Sequence, residues 1–113
     1  MENHYKLDRV KELADNDENF IQSLAETFLE EVSEDIERLK TAVAEKNYKE
    51  AYQAAHKMKP TVDLFELGIL DDLIEVQDWG KFTKTDMDIT EKLNIVATAV
   101  DNALAEIKED FNL

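Results

Sequence analysis

The stretch DENFIQSLAETFLEEVSEDIERLKTAVAEK, residues 17–46, decides the fold class. It holds neither glycine nor proline, and Phe20, Leu24, Phe28, Val32, Ile36, Leu39 and Val43 recur at spacings of three and four, placing them on one side of a helix. At 1.5 Å per residue that predicts a helix about 45 Å long. Asp15 and Glu18 have capping-box spacing ahead of it, Leu7, Val10 and Leu13 suggest a short preceding helix, and Asp15-Asn16 reads as the break between the two.

Downstream the pattern repeats. Asn47 with Glu50 forms another capping signal, and Ala51, Ala55, Met58, Val62 and Phe65 make residues 48–67 a third helix, with Gly68 able to end it in a left-handed conformation. Ile69, Leu70, Leu73, Ile74 and Trp79 imply a shorter fourth helix, with residues 80–85 as a polar loop. Asp88 with Glu91 opens the last helix, whose stripe is Ile89, Leu93, Val96, Val100, Leu104, Ile107 and Phe111. Long stripes on short connections predict an all-α fold, an antiparallel four-helix bundle with an additional short N-terminal helix, as one domain over residues 1–113. The apolar stripes are read as core, since a bundle buries such faces whatever its function.

Composition agrees and narrows the function. Two glycines and one proline in 113 residues are too few for the hairpins of a β protein. With no cysteine, the disulfide scaffold, the thiolate zinc site and the cysteine nucleophile are excluded, and a cytoplasmic setting fits best. A net charge of −14 repels phosphate backbones and anionic lipid, so neither nucleic acid nor a membrane is an expected partner. The opening residues carry no leader-like apolar stretch, and no apolar run approaches the length of a membrane span.

The chemically informative segment is AYQAAHKMKPTVDLF, residues 51–65. On a helix of 100° per residue with the core stripe centred at 0°, His56 falls near 140°, Lys59 near 80°, Asp63 near 120° and Lys49 near 160°, so the histidine points outward or into a shallow flank. Charge is uneven here. Lys46, Lys49, Lys57 and Lys59 stand against Glu50 alone, so residues 46–59 carry +3 while the rest of the chain carries −17. A basic island around one histidine suits a phosphoryl group, which bears a charge of about −1.5 to −2 in phosphoamino acids at neutral pH. Without a family match, an ordinary solvated helix face is the simpler reading. His4, the only other histidine, has no such context and is read as a surface or disordered residue.

Ala55-His56-Lys57-Met58-Lys59-Pro60-Thr61 resembles the phosphorylation motif of histidine-containing phosphotransfer (HPt) domains, in which Ala-His-x-Leu-Lys-Gly-Ser lies on an exposed face of a four-helix bundle. The resemblance implies that His56 accepts the phosphoryl group and that Lys59, one turn on, stabilises its charge. Met58 matches the family's buried leucine and Thr61 its serine. Lys49, Tyr52, Lys57, Pro60, Thr61 and Asp63 are assigned supporting or receiver-binding roles. Gln77 is a candidate for the glutamine that in some members hydrogen-bonds the second imidazole nitrogen, with Asp78 competing for that register. Two departures stand out: Pro60 replaces the usual glycine and denies the carbonyl of His56 its helical hydrogen bond, and Gly68 lies two residues later than the family's pattern.

The implied activity is a relay. An aspartyl phosphate on a response-regulator receiver is attacked by a neutral imidazole, and a second receiver's aspartate later takes the phosphoryl group from histidine. Positioning and charge neutralisation dominate such transfers. The chain holds no metal cage and no glycine-rich nucleotide loop, so it is expected to be a phosphoryl carrier with no kinase activity of its own and no cofactor, Mg²⁺ being expected on the receiver. Receiver domains and a hybrid histidine kinase are the implied partners. The alternative is a non-catalytic helical adaptor, a degenerate HPt fold that binds receivers; intact His56 and Lys59 argue against it. A carboxylate-bridged metal enzyme requires Glu-x-x-His pairs, which neither histidine provides.

Overall fold

In a computed structural model, residues 4–113 are described and form five helices: α1 (Asp8–Leu13), α2 (Glu18–Ala44), α3 (Tyr48–Leu64), α4 (Leu70–Lys81) and α5 (Thr90–Asp110). The opening Met1-Glu2-Asn3 of the leader reading lies outside the described residues. α2 to α5 pack in cyclic order, α2 on α3, α3 on α4, α4 on α5 and α5 back on α2, while α1 touches α2 at one end. Short connections reverse the chain each time, giving an all-α bundle 46 Å long and about 20 Å across. The closest-packed pair, α3 with α4, carries the candidate site.

The core follows the stripes, with shifts at their ends. Phe28, Val32, Ile36 and Leu39 of α2 are buried, but the stripe begins with Ile21 and Ala25 and finishes with Ala42, whereas Phe20 is exposed and Leu24 and Val43 are half-buried. A straight helix drifts about 20° per heptad against a 3.5-residue repeat, so over 27 residues the buried line moves to neighbouring positions. Leu7 and Val10 are likewise buried, but Leu13 is exposed. Phe28 and Phe65 meet at the centre with ring centroids 4.7 Å apart.

Four helix boundaries differ from the sequence expectation, that of α4 among them. α2 is capped by Asp17, whose carboxylate accepts from the backbone N–H groups of Asn19 and Phe20; Asp15, the expected cap, instead takes a left-handed conformation at the end of α1. α3 ends at Leu64, with Glu66 rather than Gly68 in the left-handed C′ position (φ 51°), where Leu67 N–H donates to Val62 O and Glu66 N–H to Asp63 O. Asp15, Lys46, Thr83 and Asn112 hold the same position after the other helices, so this glycine-poor chain closes its helices on residues that reach φ near 50° at some cost. α5 begins with Asp88 Oδ1 accepting from Thr90 N–H at 2.9 Å; the expected reciprocal bond from Glu91 is not formed.

The fourth helix runs two residues further than expected. Gly80 and Lys81 belong to α4 and not to a loop. A Cβ on Gly80 would stand 2.5 Å from the carbonyl oxygen of Tyr48 and 2.7 Å from the backbone nitrogen of Tyr52. Glycine is therefore the residue that lets the two helix backbones touch. Tyr48 and Trp79 meet across the same seam, their rings tilted at 41° with centroids 4.4 Å apart.

Polar contacts tie the ends together. Arg9 of α1 donates to Asp63 Oδ1 of α3 at 2.9 Å, Lys6 N–H donates to Phe65 O, and Tyr5 hydroxyl donates to Asp110. His4 is ordered on the surface, its ring and backbone N–H both engaging Glu106 of α5. Lys92 of α5 bridges Asp72 and Glu75 of α4. No helix among the described residues is long and apolar enough to cross a membrane.

Candidate functional site

α3 continues through Pro60, so positions 49, 52, 56, 59, 61 and 63 stand on one continuous helix. Residues 52 and 56 are one turn apart, and the Tyr52 and His56 rings stack with centroids 5.6 Å apart at 25°. The face of His56 is solvent-exposed. Because Gly80 draws α4 close, Gln77 reaches the same spot from a buried position, 7% exposed, and places Oε1 3.4 Å from Nδ1 of His56. With the proton on Nδ1 donated to that oxygen, Nε2 presents its lone pair outward. Asp78, the competing candidate, makes no such contact among those seen.

Lys59 is half-buried one turn beyond His56 and makes no ion pair among the described residues. Lys57 behaves differently. It turns towards α2 and binds Asp35 Oδ1 at 3.2 Å, and Asp35 is only 4% exposed. Burial of that carboxylate requires a partner, so Lys57 joins two helices and its charge is spent away from His56. The basic island is thus redrawn in space: Lys57 is neutralised by a residue 22 positions earlier, and Glu50 is taken up by Arg38 of α2, whose guanidinium holds the Glu50 carboxyl below the ordinary carboxylate range. Lys49 and Lys59 remain without an acidic partner on the α3 face among the described residues.

The other expected residues are less central. Pro60 is exposed and Thr61 half-buried on the turn after Lys59. Having no N–H, Pro60 cannot donate to the carbonyl of His56, which loses its α-helical bond. Asp63 lies two turns from His56 and is occupied by Arg9, so it serves the junction of α1 with α3 and stands outside the His56 cluster. Asp35 and Gly80 were missed by sequence reading because what each one contacts is distant along the chain. The one available signal for Asp35 was its register on α2, three residues after Val32 and four before Leu39 on the apolar side.

The arrangement is an open face rather than a cleft. Cavities of about 540 and 550 Å³ occur at the α1–α3 junction and on α5, neither reaching His56. Among the described residues no group of three or more histidine or acidic side chains is disposed to hold a metal ion. An exposed imidazole thus lies beside a buried amide, one turn from an ammonium group that has no acidic partner among the described residues, on a face open to another molecule.

Residues 23–77 match the family model of the Hpt domain, a span that runs from the first turns of α2 through His56 and Lys59 and ends on Gln77. Over that span the chain matches the Hpt domain, whose family serves phosphotransfer in two-component systems. No curated protein and no solved structure gives a significant match.

Proposed function

We propose that this protein is a cytoplasmic phosphorelay carrier in which His56 accepts a phosphoryl group from the aspartyl phosphate of one receiver domain and yields it to the aspartate of another. The observation that carries this reading is the placing of His56: exposed on α3, stacked on Tyr52, and backed by Gln77 at Nδ1. In the forward step the Nε2 lone pair forms the N–P bond as the acyl-phosphate P–O bond breaks, its electron pair leaving with the receiver's carboxylate. The ring keeps its Nδ1 proton, and the positive charge that develops on it faces the Gln77 carbonyl oxygen. Lys59 approaches the equatorial phosphoryl oxygens, where negative charge is concentrated. Return to a second receiver reverses these steps.

The open face supports this division of labour, since a carrier must present its nucleophile to two partners in turn. Transfer from a panel of phosphorylated receivers of the source genome tests it. Acid-labile label should reach the wild type and not His56→Gln. Stable receiver binding with no label on either histidine would favour an adaptor instead.

A further inference from the structure

Five cations, Arg9, Arg38, Lys40, Lys57 and Lys92, are engaged by acids. Lys49 and Lys81 are not, among the described residues, yet they come together. Lys49 sits in the first turn of α3 and Lys81 in the last turn of α4, and the contact allowed by Gly80 sets them on either side of a shallow notch of about 280 Å³ lined by Lys49, Tyr52, Gly80, Lys81 and Thr83. Tyr52 is shared, one edge lining the notch and its ring stacked on His56. Lys81 also lies 5.3 Å from the ring of Phe82, which is 61% exposed.

We propose that this notch seats a carboxylate side chain of the docked receiver and thereby fixes the register in which the partner's aspartyl phosphate meets His56. The inference rests on the receiver reading above and adds the chemistry of the contact. Two ammonium groups and the hydroxyl-bearing Tyr52 and Thr83 suit an anion, and the space matches a side chain rather than a cofactor. The transferring phosphoryl group itself is too far away to be the occupant, because residues 49 and 56 are separated by about 10 Å along the helix axis. Elsewhere a surface of net charge −14 repels an acidic partner, so an acid on the receiver is accepted well at this edge of the site and poorly in other registers. Tyr52 couples the two events, since a partner pressing into the notch also holds the ring on which His56 stacks.

The test uses a receiver that labels His56. Its affinity is measured by titration for the wild type, Lys49→Glu/Lys81→Glu, Lys49→Gln/Lys81→Gln and His56→Gln, at low and high salt. The charge-reversed variant should bind about tenfold more weakly or worse and lose much of the salt dependence, the glutamine variant should fall between, and the loss should lie in affinity rather than in the rate at saturating receiver. His56→Gln should bind yet take no label. Replacing one acidic surface residue of the receiver by lysine should restore affinity to the charge-reversed variant. Unchanged affinity in both lysine variants overturns the proposal while leaving the relay intact. Saturable binding of inorganic phosphate that the lysine variants abolish without affecting receiver affinity also overturns it, making the notch a site for free anions. If no receiver binds or labels the wild type, the relay reading falls and the notch proposal with it.

Discussion

Gln77 holds Oε1 3.4 Å from Nδ1 of His56 while remaining buried between α3 and α4. A side chain fixed by packing can set a ring's orientation better than one moving in solvent, and an Nδ1 proton donated to it would leave the Nε2 lone pair for the phosphoryl group. Gln77→Leu keeps the volume and removes the acceptor. The variant should keep its helical fold and transfer about fivefold more slowly, the scale of one hydrogen bond of roughly 1 kcal/mol in the transition state. An unchanged single-turnover rate would remove Gln77 from the mechanism.

Among the described residues Lys59 is the cation without an acidic partner nearest in sequence to His56, and in the proposed relay it stabilises charge that grows during transfer. Lys59→Ala should slow phosphoryl transfer by about ten- to a hundredfold and weaken receiver binding less, as expected for a charge-assisted contact made fully only in the transition state. Stopped-flow rates beside equilibrium titrations separate the two. Equal rates in mutant and wild type would contradict the assignment.

Pro60 stands inside α3 with four helical residues after it. Pro60→Ala supplies an N–H for the carbonyl of His56 and a strong helix former, so the variant should melt higher, by some fraction of the roughly 3 kcal/mol that proline costs a helix interior. Its transfer rate should fall or stay level, because a straighter α3 moves His56 relative to Lys59. A melting temperature equal to that of the wild type would mean that the helix gains nothing from continuity at this position.

Gly80 sets up the opposite expectation. Alanine is better than glycine in a helix by about 1 kcal/mol, but the added Cβ would meet the backbone of α3 at 2.5 and 2.7 Å, and backbone cannot turn aside as a side chain can. Gly80→Ala should therefore lower the melting temperature and separate Gln77 from His56, slowing transfer as well. A variant as stable and as fast as the wild type would show that the seam has slack.

These residues also mark what the sequence made legible. The helical periods, the Asn47 cap and the exposed setting of His56 were readable because they depend on neighbours within a turn or two. The cap of α2 was misplaced by two residues because Asp15 and Asp17 are chemically equal and only backbone conformation separates them. Glu66 could not be foreseen as the turn residue after α3 while a glycine stood two positions later. Gly80 read as a loop because its purpose is contact with residues some 30 positions earlier, and Lys57 read as part of the phosphoryl-binding charge because Asp35 lies on another helix. Local chemistry was visible; pairings between helices were not.

The central claim concerns one nitrogen atom. After transfer from a phosphorylated receiver, the modified residue should be mapped by peptide mass spectrometry under neutral conditions and the attachment atom by phosphorus–nitrogen NMR on labelled protein. The account predicts phosphate on Nε2 of His56 and none on His4, with Nδ1 still protonated against Gln77. Phosphate on His4, on Nδ1 of His56, or on no histidine of the chain would contradict it.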